Sequence, residues 1–473
     1  MMTGSKDQIN NIPLKEKLIT VFKENRNKII GEKTLFISEI RQKAFENFKK
    51  IGFPDPNSQT WKNTDLKKIL SEDYEQLFDF STEGTNVEEI FQCKIHNFDT
   101  YIVSLLNGWY VNSGSQISTM PDGTIVGSLA KAIKEFPELT EKYLGKVQKQ
   151  NNNFTELNTA FSQDGIFIYV PDGVEVIKPI QMVSIINHDK NLLVNYRNLI
   201  ILGKNSKLTF VQCDDAINHN SSLTNTVTEF FLNEGSNLDH YKLQNLNNNS
   251  GLINSTYFKQ EKNSNLCTNL IILNGGIIRN DYKINLNGEG CNSEIYGVYL
   301  MDSEQHINNQ VYVDHVKANC TSNQIFKGIL DEQASGVFNG HVLVHRNAQH
   351  TSASQTNRNI LLTDEASINT QPFLEIYADD VKCGHGATVG QLDKEAMFYL
   401  RSRGIGEKNA RMLLMYAYAA EIINKINIEA LRLRIDDMVK HRLRGELSVC
   451  DKCILHCRKE DEEINFDIDM SKV

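Results

Sequence analysis

A cysteine and a histidine two positions apart, Cys383 and His385, have the residue types and the spacing for ligand chemistry. Residues i and i+2 of a β-strand face the same side, so a thiolate and an imidazole can converge there. Soft metal ions and sulfur species suit such a pair. Gly384, Gly386 and Ala387 leave room beside it for a ligand or for another backbone. Two ligands do not fill a metal's coordination shell, so a partner chain would have to complete the site. The alternative is a buried cysteine beside a histidine with a structural hydrogen bond.

A second group lies near the C-terminal end of the sequence, where three cysteines and one histidine occur close together. Its C-x2-C opening is typical of metal sites, although a mononuclear zinc site usually takes its other ligands from further along the chain. Three interpretations stay open: a metal or cluster site, a redox-active disulfide, and a tail without fixed structure. The four residues are Cys450, Cys453, His456 and Cys457.

Five further histidines occur in strand-like segments, but their pattern favours a structural role. His341 and His345 have the same parity on a strand, and His350 follows a turn. Polar residues often stack in ladders at the turns of repeat folds, so we predict that these side chains support the fold. The same prediction applies to His306 and His315.

The sequence lacks the usual signatures of a self-contained catalyst: a phosphate loop, a nucleophile elbow, an H-E-x-x-H zinc motif and a dinucleotide fingerprint. A net charge of −9 argues against nucleic-acid binding. The longest apolar stretch, Met412 to Ile423, is too short to span a membrane, and residues 1–15 have no apolar signal core. We therefore predict a cytoplasmic protein that does not insert into membranes, with its nine cysteines reduced rather than in a disulfide framework.

Short polar turns that end in a small residue recur along the middle of the chain. The small residue returns about every 27–30 positions at first and then about every 14–18. Each turn precedes a β-rich run, and one such unit cannot bury its own apolar face, so successive units must stack. This pattern is typical of a β-solenoid, and Cys383 and His385 lie where it stops. The small residues are Ser206, Ser236, Ser264, Cys291, Ala318, Ala334, Ala348 and Ala366.

The pattern predicts a mainly β protein with α-helical ends, in four parts. These are a mainly helical cap (1–150), a parallel β-helix core (151–390), a C-terminal helical domain (391–445) and a cysteine-containing tail (446–473). The second helix of the C-terminal domain, Glu407 to Ile426, is apolar on too much of its circumference for a lone surface helix. It is therefore expected to pack inside a small bundle or against a partner.

Eight motifs stand out in the stretch from roughly residue 55 to residue 445: Phe154–Phe161, Asp164-Gly165, Val170–Val174, Lys178–Ile180, Asn359–Asp364, Thr370–Ile376, His385–Thr388 and Phe398–Ile405. Together they resemble the SufB/SufD family of iron–sulfur cluster assembly proteins. The resemblance implies a right-handed parallel β-helix between helical terminal domains. It also implies that SufB and SufD proteins pair through their β-helices, and that each contacts the ATPase SufC through its C-terminal helices.

Within the family, the chain is more similar to the SufD branch than to the SufB branch. SufB proteins carry a sulfur-accepting cysteine where this chain has Ala366, and a carboxylate after the matching histidine where it has Gly386. The resemblance places Cys383 and His385 at the SufB–SufD interface. It implies a non-catalytic scaffold subunit with a transient iron–sulfur cluster or iron at that interface, and none stably bound by the isolated chain. It gives no basis for assigning flavin or a role for the tail after Gly445.

Two other functions and one other assembly stay open. A β-helix enzyme that acts on polysaccharide needs clustered carboxylates in a groove, and the solenoid sequence has no evident acidic cluster. A SufB role would require a β-helix cysteine such as Cys267 or Cys291 to form a persulfide. Without partners, the same β-helix face would allow a homodimer, because an unpaired interface can satisfy itself isologously.

Overall fold

The computed structural model describes residues 13–29, 31–32, 34–80, 99–112, 115–147, 152–217 and 220–444. The predicted tail group therefore lies outside the described residues: Cys450, Cys453, His456 and Cys457.

The described part of the chain contains twenty strands and nine α-helices. The strands are β1 Tyr101–Leu106, β2 Trp109–Val111, β3 Ile117–Thr119, β4 Ile125–Ser128, β5 Ile166–Val170, β6 Ile180–Ile186, β7 Leu192–Leu202, β8 Lys207–Ala216, β9 Ser222–Leu232, β10 Asn237–Asn245, β11 Gly251–Gln260, β12 Asn265–Asn274, β13 Ile277–Leu286, β14 Asn292–Met301, β15 His306–His315, β16 Thr321–Leu330, β17 Ser335–Val344, β18 Thr351–Leu361, β19 Ser367–Ile376 and β20 Val381–Gly390. The helices are α1 Pro13–Asn25, α2 Leu35–Ile51, α3 Lys67–Leu70, α4 Leu129–Glu135, α5 Pro137–Tyr143, α6 Asn153–Phe161, α7 Lys394–Ser402, α8 Glu407–Ile423 and α9 Glu429–Leu443.

Strands β5 to β20 form a parallel β-solenoid, so the predicted fold class is confirmed. Each strand pairs with the strand two positions later in the chain, which sorts the even-numbered and odd-numbered strands into two sheets. Two strands make one turn, and these sixteen strands therefore make eight turns. One hydrophobic core with side chains from both sheets runs the length of the solenoid.

The predicted polar turns connect consecutive strands, and their small residues are buried with one exception. Ala318 is only half-buried, and Cys320 takes the buried place immediately before β16. This turn has two more residues between its small residue and the next strand than the turns before β8, β10, β12 and β14. The spacing halves along the chain because the early matches lie on one edge of the solenoid, whereas the later matches alternate between both edges. The buried small residues are Ser206, Ser236, Ser264, Cys291, Ala334, Ala348 and Ala366.

The N-terminal helices pack on the first turns of the solenoid through an aromatic core. Trp61 is buried, and its ring lies 5.4 Å from that of Phe154. The Arg279 guanidinium, which comes from β13, stacks 3.8 Å above the Trp61 ring. Thr64 hydrogen bonds His306 at 3.0 Å, so the segment around Trp61 is fastened to the middle of the solenoid.

The two ends of the solenoid differ. At the N-terminal end, β2 pairs antiparallel with β1, and β3 pairs antiparallel with β4. The outermost strands are therefore β2 and β3, which have three residues each. At the C-terminal end, the outermost strands β19 and β20 have ten residues each and pair on one side only within the described chain. Short edge strands resist further strand pairing, whereas long regular ones invite it.

The C-terminal helices α8 and α9 pack against the outer face of the even-numbered sheet. The buried residues of α8 include Met412, Met415 and Ala419, and the helix contacts β14, β16 and α9. Arg442 of α9 donates to the carbonyl of Leu273 at 2.7 Å. The apolar side of α8 is thus covered by the solenoid and by α9, rather than within a separate bundle. None of the described helices has the length and apolarity needed to cross a membrane.

A buried histidine in the solenoid is expected to make stability fall in mild acid. His240 stacks among Phe210, Phe230 and Phe258, and burial, followed by the charge of Lys242, lowers its pKa to about 3. The unfolded chain takes up this proton near pH 6.5 and the folded chain does not, so the contribution of His240 is complete above pH 6.5 and is lost as the pH falls.

We expect the free energy of unfolding of the wild type, relative to that of His240→Leu, to fall by about 2 kcal/mol between pH 7.5 and pH 5. Urea unfolding of both proteins at the two pH values measures this difference. An equal difference at both values would show that His240 does not titrate as its burial requires.

Candidate functional site

Cys383 and His385 lie on β20, the last strand of the solenoid, and face the same side. In the parallel register Cys383 is opposite Ala353 and His385 is opposite Gln355 of β18. Ala353 and Gln355 are buried, whereas Ser354 between them is exposed, so these positions face the interior of the solenoid. The spacing of the two residues predicted this common face. Both side chains lie directly over the last closed turn, where no further turn covers them within the described chain.

The thiol of Cys383 packs at the edge of the solenoid core and is half-buried. Burial raises its pKa, and a hydrogen bond with the backbone of Ala353 opposes this shift only in part. The thiol therefore keeps its proton at neutral pH, and a metal or cluster that binds it must displace that proton. His385, by contrast, is exposed.

The glycines of β20 leave open space beside this pair. A Cβ atom added at Gly384, Gly386 or Gly390 would meet no other atom within 4 Å. By contrast, packing requires a glycine at position 328 of β16, because a Cβ atom there would lie 2.1 Å from the Tyr299 ring. The glycines of β20 are therefore not required by packing within the chain, and they leave its backbone accessible to another chain.

Exposed apolar side chains surround the last turn. Phe373 and Tyr377 are 55% and 57% exposed, and Val389 is 45% exposed. Phe373 extends an edge-to-face column in which its ring lies 4.9 Å from that of His341, and Tyr312 lies 4.8 Å on the other side. Sequence reasoning missed this patch. The available signal was an aromatic residue at an outward position of a strand whose other outward residues are polar.

The other histidines singled out from the sequence each have their own partner, which agrees with the structural role predicted for them. Nowhere in the described residues do three or more His, Cys, Asp or Glu side chains gather in a way that could hold a metal ion. Cys383 and His385 would consequently need ligands from elsewhere. The histidine pairs are His341 with Glu375 (3.3 Å), His345 with Asp314 (2.7 Å), His350 with Asp380 (2.9 Å), His306 with Ser335 (2.7 Å) and His315 with Ser322 (2.9 Å).

The remaining described cysteines are not joined in disulfides, and the two that a sulfur-accepting role would use are poorly suited to it. Burial raises the pKa of Cys267 to about 12, which disfavours the reactive thiolate. A hydrogen bond from Cys320 lowers the pKa of Cys291, but Cys291 is only 1% exposed. Neither thiol combines thiolate character with access to a sulfur donor.

Two family models match almost the whole described chain. The SufBD protein N-terminal region matches residues 12–182, and the SufBD core domain of SUF system FeS cluster assembly matches residues 184–418.

Full-length relatives agree with these matches. The chain is 28% identical to the iron-sulfur cluster assembly SufBD family protein slr0076 of Synechocystis, over 88% of this chain and 93% of the relative. It is 27% identical to the iron-sulfur cluster assembly protein SufD of Escherichia coli, over 85% of this chain and 92% of the relative. It is 24% identical to the iron-sulfur cluster assembly protein SufD of Bacillus subtilis, over 86% of this chain and 94% of the relative.

Proposed function

The chain belongs to the SufBD family of iron–sulfur cluster assembly proteins, and from this premise we propose that it is the SufD-type scaffold subunit of a SUF complex. In this role it pairs with SufB through the last solenoid turn and with the ATPase SufC through the C-terminal helices. It catalyses no reaction itself and works in the cytoplasm. The iron–sulfur cluster is a transient cargo that forms at the SufB–SufD interface and passes to acceptor proteins.

The observation that supports this proposal is the exposed last turn of the solenoid, formed by β19 and β20, on which Cys383 and His385 lie. The ten-residue strands β19 and β20 present unpaired backbone edges, which are templates for pairing with another chain. The exposed side chains of Phe373, Tyr377 and Val389 add apolar area for such a contact.

The two side chains fit a cluster as cargo. Thiolate sulfur and imidazole nitrogen are both ligands of iron–sulfur clusters. The pair supplies only two ligands, so in this proposal SufB supplies the others. The raised pKa of Cys383 favours a thiol that stays protonated until cluster or iron arrives, which suits transient rather than resident binding.

The contact with SufC is proposed on α7, which has no buried residue. Phe398 and Tyr399 are adjacent on this helix and are 74% and 58% exposed. Large aromatic side chains are frequent anchors of protein interfaces, and both stay more than half exposed although the Arg403 guanidinium lies 5.3 Å above the Tyr399 ring.

We expect Phe398→Asp to weaken binding of SufC by roughly 30-fold, because loss of an interface anchor costs about 2 kcal/mol or more. Lys394→Ala, an exposed change on the same helix, is the control and should leave binding unchanged. Titration of SufC onto the immobilised protein measures both. Equal affinity of the two variants would place the SufC contact elsewhere.

Cluster reconstitution tests the proposed function as a whole. SufB and SufC are incubated with iron, a sulfide source and ATP, with and without this chain, and bound iron and sulfide are quantified. In the absence of acceptor proteins, we expect cluster bound to the complex only when the chain is present. The same cluster yield without it would remove its role as a scaffold.

A further inference from the structure

Two buried glutamines form a column beneath His385. Gln324, Gln355 and His385 occupy matching positions on the successive strands β16, β18 and β20. Gln324 and Gln355 are 0% and 1% exposed. The side-chain amide Nε2 of Gln355 donates to Oε1 of Gln324 at 2.9 Å. The column is thus a short amide ladder with an imidazole as its next rung.

The position of the Gln355 amide is set by the opposite sheet. A Cβ atom at Gly340 of β17 would lie 1.7 Å from Gln355 Nε2 and 2.3 Å from its amide carbon. The amide therefore occupies space that exists only because residue 340 is a glycine. With Nε2 committed to Gln324, Oε1 of Gln355 remains as an acceptor. This oxygen is buried and has no hydrogen-bond partner among the described residues.

The rung above supplies a matching donor. In parallel, in-register strands, stacked side chains follow one another at about 4.8 Å, and amide ladders repeat the same donor-to-acceptor direction from rung to rung. Gln355 donates to the rung below it, so the rung above is expected to donate to Gln355. His385 faces the same side as Gln355 and carries a ring N–H for this purpose.

We propose that Gln355 is a positioning residue for His385: rotation of the exposed imidazole about its side-chain bonds brings a ring N–H to the unpartnered side-chain oxygen of Gln355, so that the other ring nitrogen keeps a free lone pair. Partners of this kind fix the tautomer and the orientation of ligand histidines. The use of that lone pair for iron or cluster rests on the proposed function. The hydrogen bond itself does not, because all its atoms belong to this chain.

The first test needs only the wild-type chain. Selective ¹⁵N-histidine labelling, with His385→Gln to assign the signal, reports which ring nitrogens carry protons at neutral pH. We expect one neutral tautomer and a nuclear Overhauser contact between its ring N–H and the Gln355 side chain. A mixture of tautomers, or an unprotonated nitrogen facing Gln355, would overturn the proposal.

The second test replaces the acceptor. Gln355→Met keeps the side-chain length without the oxygen and should give a mixture of both tautomers, whereas Ser354→Ala, an exposed neighbour, should keep the wild-type spectrum. A folded Gln355→Met protein with the wild-type tautomer would refute the assignment. If this variant does not fold, the wild-type contact alone decides.

A third measurement separates this inference from the proposed function. In the reconstituted complex, Gln355→Met should lower cluster yield by about tenfold, the size of effect typical for residues that orient a ligand. If the tautomer depends on Gln355 but cluster yield does not depend on His385, the hydrogen bond stands and the proposed function fails. If cluster yield depends on His385 while its tautomer is independent of Gln355, the proposed function stands and the positioning role fails.

Discussion

Cys383→Ala and His385→Ala are each expected to lower the cluster yield of the assembled complex by at least about tenfold, with little loss of folding. Both side chains lie on the exposed last turn, so removing them leaves no large cavity. We expect the free energy of unfolding to change by no more than about 1 kcal/mol for Cys383→Ala and by less for the exposed His385. These two results together would show that Cys383 and His385 act in cluster formation and are not needed for folding.

The cluster yield is measured as the iron and sulfide bound after reconstitution. The free energy of unfolding is measured by urea unfolding of the isolated variants. Lys382→Ala is the matched control, because Lys382 is an exposed neighbour on the same strand that faces the other way. Wild-type cluster yield in both site variants would exclude the pair from cluster formation. A large loss of stability would instead assign it a structural role.

Gly386→Arg is expected to weaken pairing with SufB by about 100-fold or more while the isolated chain stays folded. A Cβ atom at position 386 would meet no atom within 4 Å apart from its neighbours in sequence, so a side chain there can start into open space in the free protein. At an interface built on β20, the same arginine would collide with the partner and bury an unpaired charge. Such features reject partners strongly.

Asn265→Arg provides the control for bulk and charge. Asn265 is exposed and lies at the start of β12, in the same sheet as β20 but four turns earlier. We expect its affinity for SufB to match that of the wild type, and both variants to melt within about 2 °C of it. If both arginines weaken pairing alike, the effect is electrostatic; if neither does, β20 is not part of the interface.

The repeat pattern predicted most of the fold because a solenoid repeats one local rule. A polar turn ends in a small residue that is buried just before the next strand begins. Ser206, Ser236 and Ser264 follow that rule, which depends only on the local sequence. Ala318 departs from that rule, because two additional turn residues place Cys320, and not Ala318, in the buried position before the strand. The packing of α8 on the solenoid was left open, since an apolar helix face does not identify what covers it.

The candidate site was predictable only in part. The i, i+2 spacing was enough to place Cys383 and His385 on one face of a strand. The column of Gln324, Gln355 and His385 could not be predicted from the sequence, because neighbouring members lie 30 residues or more apart. They become neighbours only through the register of β16, β18 and β20. The space that Gly340 leaves for the amide likewise depends on contact between the two sheets.

The most direct measurement of the central claim is the mass of the complex formed when this chain is co-expressed with tagged SufB and SufC from the same source. The account predicts a stable assembly of one copy of this chain, one SufB and two SufC, in which Gly386→Arg removes this chain and Phe398→Asp removes one SufC. A chain that purifies alone, or as a homodimer beside a separate SufB–SufC complex, would contradict it.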